Sequence, residues 1–368
     1  MKKFIKPDWT NSVLNISATF AEFLGVENKN ATLKILKDEL DKGFKNVIYI
    51  CFDGMGINPL NKNLSPNNFL MQNIKTKLTS TFPSTTTCAT TSLTSNLLPL
   101  EHGWLGWTLY FDEIKRNIDI YRGTDSKTKE VVDYKYPLYD NSICYFDNPK
   151  SDYNTSIIAP SYVKSHCKNS LTFNTLDEFF KVIKNVCNRE GKQFIYAYFP
   201  EPDATMHEFG VSSPEANNII CQISKGLQDL KDTTQNTLFT VSADHGQVDV
   251  EGYVEFFLDA ELNSMLKCAP FLEARAPAFW VKDGMHDEFF EKFTKKYGDD
   301  FILYKTKDLI AQNYFGARGD KGNLLGDFIA VGTFTHKQFL PYEDSRRFKG
   351  HHTSLTEEME VPLIMFSN

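Results

Sequence analysis

Three short apolar runs constrain this chain more than any other feature: Val47-Ile48-Tyr49-Ile50-Cys51-Phe52, Phe194-Ile195-Tyr196-Ala197-Tyr198-Phe199 and Thr237-Leu238-Phe239-Thr240-Val241-Ser242. They are rich in β-branched and aromatic residues and show no polar alternation, the pattern of strands covered on both faces of a parallel sheet. Helical patterns lie between them. Asn174 is placed to cap a helix with Leu176, Phe179, Phe180 and Ile183 on one face. Ser213, Pro214 and Glu215 read as a cap, a first-turn proline and a first-turn acid ahead of Ile219, Ile223, Leu227 and Leu230. Strands alternating with helices predict an α/β fold, a doubly wound and mostly parallel sheet with helices on both faces.

Each run ends in an acidic segment: Asp53-Gly54, Glu201-Pro202-Asp203 and Ala243-Asp244-His245. Ligands of open α/β sheets bind beyond the carboxyl ends of the strands, so these carboxylates are delivered to one edge. His207 follows Asp203 by one helical turn and faces the same way. His245 adjoins Asp244, and His351-His352 stands near the C-terminus. Imidazole and carboxylate together suit zinc or manganese better than calcium. Two divalent cations set against three aspartates would leave a modestly positive pocket, fit for a phosphoryl group. The run TTCATTSLTS after Phe82-Pro83-Ser84 is a poor choice for a free-standing helix. It suits a buried helix with its N-terminus at an anion, where a hydroxyl from Thr85, Thr86 or Thr87 can serve as an activated nucleophile.

These elements in this order resemble the alkaline phosphatase superfamily, and within it the type I phosphodiesterase/nucleotide pyrophosphatase family. The matching residues are Asp53-Gly54, Pro83-Ser84-Thr85-Thr86, His102-Gly103, Glu201-Pro202-Asp203 with His207, Asp244-His245-Gly246 and Gly350-His351-His352. The resemblance covers roughly residues 45 to 250 and about the last 20. It implies an alkaline-phosphatase-like fold and a metal-dependent phosphoric ester hydrolase with Thr86 as nucleophile. It also implies one divalent ion on Asp203, His207 and His352 and a second on Asp53, Thr86, Asp244 and His245, zinc first and manganese as the alternative. The chain departs from the family pattern at Trp107, where an asparagine usually donates to a phosphate oxygen. The Trp107 indole, the Thr108 hydroxyl or a backbone amide are the replacement donors on offer. Asn96 stands where a helix-closing glycine is usual, and asparagine also accepts the left-handed conformation. No C-x-P-x-R motif is present, which disfavours a sulfatase.

The organisation expected from the pattern is a catalytic core of residues 1–253 and 317–368 with a small α+β subdomain, 254–316, inserted in it. An aromatic flap spans about 104–150. The insert would hold a strand at Pro277 to Val281, a helix at Glu288 to Lys296 and a strand at Phe301 to Tyr304. The core would resume with Asp327 to Val331 and close with Pro362 to Phe366. Trp104, Trp107, Tyr110 and Tyr121 read as a small aromatic core of the flap ahead of a stacking platform for a base. His102 is expected to order the loop after the threonine helix, and Glu201 to orient a ligand or cap a turn. His351 is either a partner of His352 or exposed; His166, His286 and His336 are read as surface residues.

Forty basic against 47 acidic side chains, a net charge of −7, argue against bulk nucleic-acid or anionic-lipid binding. No apolar run approaches a membrane span, and Lys6, Pro7 and Asp8 interrupt the N-terminal stretch before a signal-peptide core develops. Seven cysteines without a C-x-x-C pair suggest reduced thiols, with Cys51 and Cys221 as small core residues, and a cytoplasmic protein. The expected partner is a small-molecule phosphoester, with nucleotide-like esters among the candidates. Oligomeric state leaves no signal. Competing readings are a phosphomonoesterase or phosphosugar mutase of the same superfamily, or an inactive ligand-binding relative.

Overall fold

The computed structural model describes residues 3–140, 144–163 and 167–368, so His166 lies outside the described residues. A seven-stranded sheet forms the centre, in the order Ile74–Thr79, Glu360–Ser367, Thr237–Ser242, Asn46–Phe52, Lys192–Phe199, Tyr153–Pro160 and Ser170–Phe173. The last five of these run parallel, and Glu360–Ser367 runs antiparallel to both of its neighbours. The three apolar runs are therefore adjacent strands. Their residues are buried along almost the whole length because helices cover both faces. Phe20, on the Val13–Phe23 helix, packs 5.7 Å from Tyr49, and Phe179, on the Leu176–Cys187 helix, packs 5.9 Å from Phe52. Tyr49 and Phe52 are an odd number of positions apart on one strand, so they face opposite sides of the sheet.

Register explains why the acids gather. Phe52 stands beside Phe199, and Cys51 beside Ser242, so three parallel strands end at nearly one level. The chain then turns with Asp53 at one end, Glu201 to Asp203 at the next and Asp244 at the third. A backbone bond from Asp203 N–H to the Asp53 carbonyl, 3.1 Å, ties two of these turns together.

The local signal held at one of the two helix starts read from the sequence. Ser213 caps Pro214–Thr233 by accepting from the Ala216 N–H. The cap expected at Asn174 falls one residue later, because the Thr175 hydroxyl accepts from Glu178 N–H while the Asn174 N–H goes to the Glu178 carboxylate.

The second sheet departs from the expected organisation. Its seven strands are Phe301–Lys305, Phe328–Gly332, Ala276–Phe279, Phe271–Glu273, Thr108–Phe111, Arg116–Asp119 and Thr124–Asp125, antiparallel throughout. Strands from the flap and from the insert thus share one sheet through the Leu272–Thr108 bridge. Phe328–Gly332, expected to return to the parallel core, pairs instead with Ala276–Phe279 and Phe301–Lys305. An apolar five-residue run carries no signal of which sheet it joins.

Cysteine behaviour also differs. Cys144 and Cys167, both buried, form a disulfide, against the expectation that all the thiols are reduced. Spacing along the chain does not reveal such a pair; here the fold brings the two Cα atoms to 6.2 Å. Cys51 is buried as expected, whereas Cys221 is exposed. Among the described residues, no helix is long and apolar enough to cross a membrane.

Candidate active site

The Thr86–Ser95 helix starts at the carboxyl edge of the parallel sheet. Its threonines tolerate burial because their hydroxyls bond back into the helix: Thr90 to the Thr86 carbonyl at 2.6 Å, Thr91 to Thr87 at 2.8 Å and Ser95 to Thr91 at 2.6 Å. Small side chains also let the helix pack against Val13–Phe23, where the Ser17 hydroxyl donates to the Leu93 carbonyl. Asn96 closes the helix at φ 58°, the left-handed conformation expected of it.

Thr86 Oγ1 lies 3.3 Å from both carboxylate oxygens of Asp53 and 3.1 Å from His245 Nε2. His245 Nε2 is in turn 3.3 Å from Asp53 and 3.5 Å from Asp244. A second group adjoins the first. His207 Nε2 is 3.3 Å from Asp203 Oδ2, and His352 Nε2 is 3.7 Å from Asp203 Oδ1. All seven side chains expected at the site therefore converge. Donor atoms of Asp53, Asp244 and His245 lie within 4.8 Å of one another, as do those of Asp203, His245 and His352, and those of His207, His351 and His352.

Each imidazole is aimed by its other nitrogen. Nδ1 of His207 meets the Gly350 carbonyl at 2.8 Å, that of His245 the Gly246 carbonyl at 2.9 Å and that of His352 the Ser84 carbonyl at 2.9 Å. A ring that donates from Nδ1 presents the lone pair of Nε2 inward, the arrangement seen for metal-bound histidine. Asp244 accepts from Gly54 N–H and His245 N–H through Oδ1, while its Oδ2 is buried with no hydrogen-bond partner among the described residues. A buried, orphaned carboxylate oxygen facing imidazoles fits a cation. Gly54 is required at its turn: its φ is +71°, and a Cβ there would meet Asp203 Cβ at 3.0 Å.

The electrostatics match that donor set. Burial, then the charges of Asp244 and Asp203, push Asp53 well above the usual carboxylate range. Burial also raises Asp244. Burial pulls Asp203 upward as well, but His207 beside it prevails and holds it at about 2. Burial and the neighbouring imidazoles drive His351 and His352 well below their ordinary value. Such clustering of buried, mutually repelling carboxylates, with no lysine or arginine partner among the described residues, is what divalent cations relieve.

Several residues of the site carried no sequence signal. Tyr198 donates to Asp53 from the strand beside it, and Gln247 donates to Asp203. His351 is buried, packs 5.0 Å from the His207 ring and lines the cavity, which removes the exposed alternative. Glu201 caps a turn by accepting from Thr205 N–H. His102 is fully buried between the Ser92 hydroxyl and the Trp104 N–H. His336, expected at the surface, is buried against Glu357 at 3.2 Å, whereas His286 is half-exposed beside Asp327.

A cavity of about 480 Å³ opens over Thr86, His207 and His352, and the second sheet supplies Thr108 and Glu273 to its wall, beside Trp107. Tyr121 packs 5.5 Å from Trp104 and 5.9 Å from Trp107, so these flap aromatics form a cluster of their own. Arg122 and Arg346 also line the cavity, cations that lie outside every motif.

A sequence model of the type I phosphodiesterase / nucleotide pyrophosphatase family matches residues 47–354, from the first buried strand to just past His352. The chain belongs to that family. It is accordingly a phosphodiesterase/nucleotide pyrophosphatase-like hydrolase. Among solved structures, it is similar to murine ectonucleotide pyrophosphatase / phosphodiesterase 5, with a TM-score of 0.66, 17% identity and 88% of each chain covered. An inactive threonine-to-alanine form of that mouse protein, in complex with AMP, matches at a TM-score of 0.65 and 17% identity over 87% of each chain. Phosphonoacetate hydrolase from Sinorhizobium meliloti 1021, in complex with phosphonoacetate, matches at 0.64 and 13% identity, covering 86% of this chain and 89% of that one. At these identities the structures speak for the fold. No curated protein sequence matches the chain.

Proposed function

We propose that this family member cleaves a phosphodiester or pyrophosphate bond with Thr86 as its nucleophile. The observation that carries the reading is Thr86 Oγ1 held at a helix N-terminus between Asp53 and His245, at the floor of the cavity. Asp203, His207 and His352 would hold one divalent ion, and Asp53, Asp244 and His245 with Thr86 a second, zinc or manganese. Bound there, such ions withdraw charge from the attacking and leaving oxygens. The Thr86 hydroxyl directs its proton at Asp53 and its lone pairs into the cavity, where Oγ1 attacks phosphorus. The Oγ1–P bond forms, the bond to the leaving oxygen breaks, and that oxygen takes a proton from water. Water then cleaves the phosphothreonine ester and restores the hydroxyl. The inactive threonine variant of the mouse relative and its AMP complex support both the nucleophile and a nucleotide-like ester.

Thr86→Ala is expected to abolish turnover while bound metal stays near two ions per chain, measured by elemental analysis of the purified protein. Full activity in the variant removes Thr86 from the role. Arg122 and Arg346 favour an ester with a further anionic group beyond the scissile phosphorus. A panel of bis(p-nitrophenyl) phosphate, p-nitrophenyl phosphate and a nucleotide pyrophosphate is expected to rank the monoester last; a monoester preference overturns the diesterase assignment. Free phosphate or nucleotide as product, instead of an isomerised sugar phosphate, separates hydrolase from mutase.

A further inference from the structure

Glu273 is the acid in the cavity wall that no motif explains. It ends the Phe271–Glu273 strand, is 9% exposed and lines the same cavity as Thr86, His207 and His352. One of its oxygens accepts the Trp107 N–H at 2.7 Å, and the Thr85 hydroxyl lies beside it. It makes no ion pair with lysine or arginine among the described residues. The preceding residue, Leu272, is buried at φ +77°, a strained conformation for a leucine that persists only where its surroundings enforce it. Two other candidate donors near this point are engaged. The Trp107 amide is bonded to Glu273 itself, and the Thr108 hydroxyl donates to Asp119 at 2.8 Å.

We propose that the Glu273 carboxyl group donates a hydrogen bond to a non-bridging oxygen of the phosphoester, so that it binds substrate as a neutral acid. The inference rests on the phosphoesterase reading above. A charged carboxylate at this place would repel the substrate anion, whereas a carboxylic acid has an O–H to give. Burial, with Asp119 facing it from the flap, raises Glu273 to about 7; the Thr85 hydroxyl, the Trp107 amide and His207 act in the opposite sense. Cations at the site would lower it further, and the anion of a bound ester would raise it.

The experiment uses the metal-loaded Thr86→Ala protein, which binds without turning over, and bis(p-nitrophenyl) phosphate, whose charge is constant across the range. Calorimetry over a pH range should show affinity falling roughly tenfold or more as pH rises and the carboxyl ionises, the loss of one hydrogen bond to an anion. In Thr86→Ala combined with Glu273→Gln, whose amide donates at every pH, affinity should stay high and change little over the same interval. Equal pH dependence in both proteins, or loss of binding in the Glu273→Gln protein at low pH, overturns the role of Glu273. Failure of the Thr86→Ala protein to bind the diester at any pH, with its metals in place, overturns the phosphoesterase reading on which it stands.

Discussion

Thr86 owes its position to contacts that a single substitution can probe. Tyr198 reaches Asp53 from the neighbouring strand, and burial with Asp53 alongside keeps its phenol protonated and donating. Removing that hydroxyl in Tyr198→Phe leaves Asp53 with one donor fewer. The expected result is a metal affinity lowered about 10- to 100-fold, the usual effect of losing a partner of a liganding group, read by competition with a chelator. His102 makes a separate case. Burial holds it at about 3, against 6.5 for an ordinary histidine, so the unfolded chain takes up the proton first. Its contribution is complete above pH 6.5 and is lost as pH falls, about 2 kcal/mol by pH ~5. Urea unfolding should show that slope in the wild type and a flatter one in His102→Gln.

The elements that deliver the proposed ligands meet with almost no clearance. Gly350, which opens the Gly350–His351 strand, would place a Cβ 2.6 Å from both the Met206 carbonyl and the Gln247 side chain. Gly350→Ala must push this strand away from the Asp203–Phe209 helix, separating His352 from Asp203. The variant is expected to fold yet bind metal more weakly, with the larger loss at the Asp203 side, as a two-step chelator titration would resolve. Elements of this kind were the legible part of the sequence. The buried strands, their acidic ends and the Asp203–His207 turn all lie within short windows, where period and spacing speak directly. Glu273, Tyr198 and Gln247 were illegible because each acts through a contact across the sheet or between sheets, which no local pattern records. The same reason misplaced Phe328–Gly332 and concealed the Cys144–Cys167 pair.

Across the whole molecule, one buried cation ties the second sheet to the chain segment bearing His352. The fully buried Arg275 donates to Glu358 at 3.2 Å and to the carbonyls of Lys337 and Thr333, and its amide goes to Thr353. Thr353 itself sits at φ +91° immediately after His352. Deleting one member of such a pair strands the other charge, so Arg275→Met should cost about 3–5 kcal/mol. Thermal unfolding of Arg275→Met beside Arg275→Met/Glu358→Leu checks this, the double variant regaining much of the loss. The antiparallel sheet has a further consequence, since the hairpins it brings to the cavity, 108–125 and 271–279, come from distant stretches of chain. Lengthening or exchanging those hairpins would redraw the roof over the reacting phosphorus while the donor cluster beneath stayed fixed, a route by which one chemistry can be offered to many different esters.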